Sequence, residues 1–291
     1  METRPFYDLS VIIVNYNTAE FLVGCLNSIH TQSNCTFEVI VVDNASPDNS
    51  CDIVSNGFPS VKLITNDTNA GFSRANNSAL RLCSGRYIYF LNPDTELNHG
   101  VFSSMVDFME AHKEIGLAGT GIINPDGSFQ PSVELHYPGQ RHAKRELKGL
   151  KGDIAWVLGA SMIARREVLM DLGGFDEGFF LYGEDLDLCI RVRKRGWGLG
   201  FIPDAVIVHW GGQSERNNLP VEVWGKKLDS EMLFYKKHYS KATVAAIKRE
   251  NILHALWRVM TLKLSLPFSN DRDAGLKKLE KYNLVLRKSS L

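Results

Sequence analysis

The sequence predicts an α/β protein with a mostly parallel central sheet covered by helices on both faces. Three observations carry this. In the first hundred residues the strand-like runs are apolar throughout, as strands buried on both faces are. Segments with apolar residues at helical spacing separate them. Each run also stops abruptly at Asn or Asp, residues that break strands and open turns.

Taken in order, "SVIIVNY" is the first strand. "TAEFLVGCLNSI" follows, with Phe21, Leu22, Cys25, Leu26 and Ile29 on one helical face. Asn17 is expected to cap this helix, with Glu20 completing a capping box. "FEVIVVDNAS" is the second strand; Ser46 is then expected to cap, with Pro47 at the first helical position of "PDNSCDIVSN". "VKLITN", "SRANNSALRLC" and "RYIYFLN" read as strand, helix, strand. The second half is less regular. "GLAGTGIINPDGSFQPS" reads as a strand with a hairpin at Pro125-Asp126-Gly127. Residues 132 to 155 are polar, basic and weakly periodic, a loop long enough to be functional or disordered. A strand and short helix follow in "AWVLGASMIARREVLMDLGGF". Another helix runs through "GEDLDLCIRVRKRGW" and stops at Gly196, and "GFIPDAVIVHWGG" is a last strand. Beyond residue 220 the chain reads as helical.

The chain has 291 residues, 44% hydrophobic and 23% charged, as ordinary soluble domains do. Lys and Arg total 33, as do Asp and Glu, so the net charge gives no bulk argument for nucleic acid. The five cysteines lack metal-ligand spacing and read as reduced core thiols. The N-terminal stretch lacks a signal-peptide pattern, and no apolar run is long enough to span a bilayer. A cytoplasmic protein is expected.

In parallel α/β sheets, ligands bind outside the carboxyl ends of the strands. Here those ends carry Asn15-Tyr16-Asn17, Asp43-Asn44, Asn66-Asp67 with Asn69, and Asn92-Pro93-Asp94. Asp43 is either a satisfied turn carboxylate or an acceptor for a nucleobase imide. Asp94 sits on a Pro-stiffened turn, which suits a divalent cation that also binds phosphates. His209 ends an apolar strand before Gly211-Gly212; it is either structural or a ligand for a Mn²⁺-type ion. Glu184 and Asp185 open a helix. There they either complement its dipole or, beside Phe179, Phe180 and Tyr182, supply a general base of raised pKa. No GxxxxGK[ST], GxGxxG or GxSxG occurs, which disfavours a P-loop ATPase, a dinucleotide dehydrogenase and an α/β-hydrolase.

Six motifs in order, "VIIVNYN", "VVDNASPDNS", "NAGFSRANN", "YFLNPDTEL", "GGFDEGFFLYGEDLDLCIRVRKRGW" and "VIVHWGGQS", resemble glycosyltransferase family 2, most closely its rhamnosyltransferase-like branch. The resemblance covers roughly residues 8 to 215. It implies the A-type glycosyltransferase fold: a nucleotide-binding half at 8–98, an acceptor-binding half at 99–220, and here a helical extension over 221–291. It implies a nucleotide-sugar donor, a divalent metal (Mn²⁺ or Mg²⁺) and inverting, single-displacement chemistry. Residue by residue, Tyr16 and Asp43 match base-binding positions, and Gly71, Arg74 and Asn76 the loop near base and phosphates. Asn92-Pro93-Asp94 occupies the family's DxD position, with Asp94 as metal ligand. Asn92 replaces the first Asp of that motif and removes one charge. Asp185 matches the catalytic base, Trp156 and Glu184 acceptor contacts, and His209 a later metal or diphosphate contact. dTDP-L-rhamnose is the donor the resemblance favours, with UDP-hexoses as the alternative. A glycan or lipid-linked glycan is the implied acceptor.

Two rivals stand beside this. A nucleotidyltransferase would carry a glycine-rich basic loop after the first strand, and "VNYNTAEF" is neither. A degenerate, non-catalytic glycan-binding module would not need Asp94 and Asp185. The C-terminal segment "AIKRENILHALWRVMTLKLSLPF" mixes apolar residues at helical spacing with basic ones and Trp257. It is expected to lie on the cytoplasmic face of a membrane; a packed helix or a homodimer contact would use the same stripe.

Overall fold

In the computed structural model, residues 7–216, 218–268 and 271–290 are described. The chain divides into two compact units. The first holds the sheet. Its first half alternates β1 (Tyr7–Asn15), α1 (Ala19–His30), β2 (Phe37–Asp43), α2 (Ser50–Gly57), β3 (Lys62–Thr65), α3 (Phe72–Leu80) and β4 (Gly85–Leu91). Then come β5 (Thr95–Leu97), α4 (Val101–Ala111), β6 (Ile115–Ile123), β7 (Phe129–Gln130), β8 (Val133–Glu134) and β9 (Trp156–Val157). β10 (Ser161–Arg165), α5 (Arg166–Leu172), α6 (Glu184–Lys194) and β11 (Gly198–His209) complete it.

The strand order is β3-β2-β1-β4-β10-β6-β11-β5, with β7 against β6. β1 to β4 are mutually parallel, as are β6 and β11. β10 runs antiparallel between β4 and β6, and β5 antiparallel along β11. The consequence is positional. The carboxyl ends of β1, β2, β4 and β11 and the amino ends of β5 and β10 share one edge.

Period-two alternation splits each central strand between two cores. Val11 and Ile13 of β1 pack with Leu22 and Leu26 of α1 and Phe102 and Met105 of α4. Ile12 and Val14 pack with Ala75 and Leu80 of α3, Val168 of α5 and Leu188 of α6. A sheet covered on both faces follows, as the apolar runs predict.

Several details depart from the sequence reading. Asn17 does not cap α1: the helix begins at Ala19, and Asn17 lies outside it in the left-handed region. A tertiary partner does that work, since Asp48 Oδ2 accepts the Ala19 N–H at 3.0 Å. Ser46 and Pro47 do not open α2, which starts at Ser50 after Asn49. Ser46 is taken by the strand ends instead, and Asp48 Oδ1 accepts the Ser50 N–H at 3.1 Å. The hairpin at Pro125–Gly127 forms as expected, with β6 and β7 paired. The sequence reading passed over β5 and α4.

The second unit comprises Pro138–Gly149, Leu181–Gly183 and the chain from residue 218 onward. It contains α7 (Pro220–His238), α8 (Lys241–Ser265) and α9 (Arg272–Ser290). Arg141 and His142 pair with Glu250 of α8, and Thr243 Oγ1 donates to Glu146 at 2.6 Å. These ties hold 138–149 against α8, so part of the expected long loop belongs to the helical unit. No helix among the described residues is long and apolar enough to cross a membrane.

Candidate active site

Asn15 and Asp43 are register partners at the ends of β1 and β2. Asn15 Nδ2 donates to Asp43 Oδ1 at 2.9 Å and to Ser46 Oγ at 3.0 Å. Asp43 Oδ2 accepts the Ser46 N–H at 2.9 Å. A buried carboxylate with one donor on each oxygen is held still and retains lone pairs. Just beyond it, Ala45 has φ 62°, and beyond β1, Asn17 has φ 55°. Ala has no polar side chain to ease that conformation, so the turn stores on the order of 1 kcal/mol, as functional sites often do. Tyr16, half-buried, lies between these features.

The next loop is shaped by amides. Asn44 Oδ1 accepts from Asn66 Nδ2 and the Ala70 N–H, and Asn44 Nδ2 donates to Asn69 Oδ1. Gly71 follows with φ 83°, and a Cβ there would lie 2.7 Å from the Phe180 carbonyl oxygen. That same carbonyl accepts the Phe72 N–H at 2.7 Å. Arg74 is exposed and pairs with Glu177 at 3.5 Å. Asn76 is turned back into α3, donating to Phe72 O at 3.0 Å.

The turn between β4 and β5 carries Asn92-Pro93-Asp94. Asn92 N–H donates to Ala160 O, Thr95 Oγ1 to Asn92 O, and Trp210 N–H to Asp94 O. Thr95 and His209 are register partners across the β5–β11 ladder. This brings Asp94 Oδ1 to 3.5 Å from His209 Nε2, both side chains buried. On the other side of the ring, Nδ1 faces Gln130 Oε1 at 3.2 Å. In the tautomer that donates Nδ1–H to Gln130, Nε2 presents a lone pair to a carboxylate. It has no hydrogen-bond partner. Two buried acceptors face to face are unfavourable alone, and a cation between them removes the conflict. The pair therefore fits a divalent metal. No cluster of three or more His, Cys, Asp or Glu suited to a metal exists among the described residues. Two protein ligands suit Mg²⁺ or Mn²⁺, which usually completes its shell with water and phosphate oxygens.

Glu184 and Asp185 open α6, and both are buried. Asp185 Oδ2 accepts the Gly159 N–H at 3.0 Å, and Oδ1 the Leu186 N–H at 2.7 Å. Glu184 Oε2 has no partner. Burial raises both carboxyls; the charge on Asp185 raises Glu184 further, while the two N–H groups oppose the rise at Asp185. The two N–H donors favour the charged form of Asp185, and Glu184 Oε2 has no such donor, so the rise at Glu184 is the less opposed of the two. Left-handed backbone at Tyr182 (φ 70°) and Gly183 (φ 80°) precedes them.

One strand end links these groups. Ala160 O receives Asn92 N–H, and the adjacent Gly159 N–H holds Asp185. Trp156 lies three residues before, in β9, half-buried against the core that contains Leu188 and Cys189 of α6. The sequence singles out neither Gln130 nor Gly159, and it marks Ser46 only as a helix cap and Phe180 only for its ring. No local signal marks their place at the site; register and tertiary packing alone bring them in.

Residues 10–173 match the profile of Glycosyl transferase family 2, more than half of the chain. The chain belongs to that family. Among curated proteins it is similar to the N-acetylglucosaminyl-diphospho-decaprenol L-rhamnosyltransferase of Mycobacterium tuberculosis (strain CDC 1551 / Oshkosh). The two are 26% identical over 231 residues, 69% of this chain and 75% of the relative. Among solved structures, mannosyltransferase PcManGT from Pyrobaculum calidifontis, in complex with GDP-Man and Mn²⁺, superposes with a TM-score of 0.59. That pair is 16% identical, covering 98% of this chain and 86% of that one. S. aureus TarS 1–349 in complex with UDP-GlcNAc gives 0.58 at 18% identity, covering 83% and 70%. The chain is thus a family 2 glycosyltransferase with the A-type fold, similar in sequence to an L-rhamnosyltransferase.

Proposed function

We propose that this transferase moves a sugar from a nucleotide-sugar donor, dTDP-L-rhamnose for preference, to a lipid-linked glycan acceptor, with inversion and metal assistance. The observation that carries the reading is the juxtaposition of Asp94 and the unpartnered His209 Nε2 at the strand edge whose next member, Gly159, holds Asp185. The rhamnose preference is supported by the M. tuberculosis relative, which its name describes as an L-rhamnosyltransferase for a diphospho-decaprenol-linked sugar. On this reading the enzyme works in the cytoplasm, against the leaflet that carries such an acceptor.

In this assignment 8–98 binds the nucleotide and 99–220 the acceptor. Asp43 accepts from the base and Tyr16 lies beside it. Gly71, Arg74 and Asn76 flank the base and phosphates, with Asn92 on the diphosphate side. Asp94 and His209 would hold Mn²⁺ or Mg²⁺. When bound, such an ion neutralises charge on the diphosphate leaving group. Asn92, neutral where the family motif begins with Asp, leaves that corner one charge weaker.

Asp185 takes the proton of an acceptor hydroxyl as its oxygen attacks the anomeric carbon. The bond to the diphosphate breaks on the opposite face, and the electron pair leaves with the phosphate oxygen. One carboxylate suffices, because no covalent intermediate forms. Its burial raises basicity, and its two N–H donors aim it. Glu184 and Trp156 border the acceptor. A neutral Glu184 can donate a hydrogen bond there without adding a second negative charge.

The test is nucleoside diphosphate release from a donor panel with Mn²⁺ and a lipid-diphosphate N-acetylglucosamine acceptor. Faster release from dTDP-L-rhamnose than from UDP-hexoses supports the reading. Preference for a UDP-hexose moves the donor assignment, and no release from any donor would favour a non-catalytic binding module.

A further inference from the structure

α8 is apolar on two opposite faces. Ile247, Ala255 and Leu262 are buried. Roughly half a turn away, Leu253, Leu256, Trp257, Met260 and Leu264 recur at i, i+3, i+4, i+7 and i+11, and each is more than half exposed. That spacing gathers them in one stripe along the helix. Phe268, just beyond, is 88% exposed. A stripe so continuous is not the scatter of single apolar residues that any surface has.

Charge says what the stripe faces. From residue 218 to the end, the chain has 15 Lys and Arg against 7 Asp and Glu, although the whole chain is neutral. The helical segment therefore carries a surplus of eight positive charges, and the rest an equal negative one. Arg249 and Lys263 are exposed and flank the stripe; Lys277, Lys278 and Lys281 are exposed on α9. Trp257 is half-exposed beside Arg258, which stands over its ring at 5.5 Å. Pairing two copies through this face would set two such surpluses against each other. An anionic surface with an apolar interior offsets both the charge and the exposed hydrocarbon. Since no described helix can cross a bilayer, the contact is one that lies on the surface.

We infer that the exposed face of α8 from Leu253 to Leu264, with Phe268 just beyond the helix, docks this enzyme on an anionic phospholipid bilayer. Apolar side chains enter the headgroup region, and Arg249 and Lys263 meet lipid phosphates. The inference rests on the lipid-linked acceptor reading only for its purpose, since surface and charge stand without it.

The full chain is tested by flotation with vesicles of phosphatidylcholine alone or with phosphatidylglycerol, neither containing a glycan lipid. Binding is expected only with the anionic lipid and is expected to weaken as salt rises. Each basic residue at such a surface adds about fivefold to partition. Arg249→Glu with Lys263→Glu, and separately Trp257→Ser with Met260→Ser, should each lower partition by at least about tenfold. All four positions are solvent-exposed, and unchanged melting temperatures confirm that the variants fold. Turnover of a water-soluble acceptor should stay as in the parent, so a failure of docking is distinguishable from a failure of the catalytic reading. Equal binding to neutral vesicles, no loss in either variant, or no binding at all overturns the proposal. So does a dimer in sedimentation velocity that Trp257→Ser with Met260→Ser dissociates, which would give the face to a second copy.

Discussion

At the residue scale, the adjacent carboxyls of Glu184 and Asp185 behave differently because their partners differ. Asp185→Asn keeps one oxygen for the Gly159 N–H but turns its NH₂ toward the Leu186 N–H, so it should fold with a lower melting temperature and still bind donor. Transfer should fall by about 10² to 10⁴, the usual worth of general-base catalysis, read as single-turnover rate. A loss under about tenfold would make Asp185 a helix-terminus acceptor only. Glu184 offers a pH test. Burial, and then the Asp185 charge, push its carboxyl up to about 8 from an ordinary value near 4.5. Across that window the folded protein binds a proton the unfolded chain has released. The stability this group contributes is full below about 4.5 and is lost as pH rises through about 8. Glu184→Gln keeps the neutral form at every pH. Its melting temperature should therefore exceed that of the parent increasingly from pH 6 to 8, as differential scanning calorimetry would show. A variant that melts lower at pH 8 would mean Glu184 is ionised and partnered. Gln130 bears on the metal corner. Gln130→Leu leaves His209 Nδ1 without its acceptor and should weaken Mn²⁺ affinity by about 10- to 100-fold, measured by calorimetry.

At the element scale, the site depends on how strands end. Asn15, Asp43 and Asp94 lie at one edge because β1, β2 and β4 are parallel, and His209 joins them because β11 runs the same way. β10 is antiparallel, so its amino end brings Ala160, with Gly159 beside it, to that edge. This is how Asp185, far along the chain, is held next to the Asn92 turn. Gly71 has a steric role as well as its expected place near the phosphates. Left-handed backbone and a carbonyl 2.7 Å from any added Cβ leave no room for a side chain. Gly71→Ala should cost about 1–3 kcal/mol and shift the α3 amino end away from Phe180, seen as a lower urea midpoint. An unchanged midpoint would mean the loop yields freely.

At the scale of the whole molecule, the proposed chemistry lies in the acidic part of the chain and the proposed docking face in the basic helical segment. Donor and metal should bind the folded catalytic unit alone. At about 100 times Kd, binding adds about 2.7 kcal/mol. In a unit of this size that should raise its melting temperature by about 5–10 °C. The shift should require both nucleoside diphosphate and Mn²⁺, and should vanish in Asp94→Ala. A full shift in that variant would remove Asp94 from the metal site.

Much of this was legible from local chemistry. Apolar runs broken by Asn and Asp announce buried parallel strands, because the backbone must leave the sheet where polar side chains begin. The strand-end polar residues, the Pro-stiffened Asp94, the paired acids at 184–185 and His209 are all visible as residue types in suggestive places. Other features were settled only by tertiary structure. Asn17 and Ser46 have capping chemistry, yet Asp48, distant in sequence, accepts the Ala19 N–H of α1, while the strand ends engage Ser46 and Asp48 serves Ser50 of α2 locally. The 3.5 Å approach of His209 to Asp94 comes from β5–β11 register, which one short strand of three residues sets and no periodicity reveals. The different surroundings of Glu184 and Asp185 come from the Gly159 and Leu186 N–H groups, which only Asp185 receives. Sequence by itself determined which chemical groups are available at the strand ends. Only the fold decided which of them are buried, partnered or left facing each other, because those properties belong to distances between residues far apart in the chain.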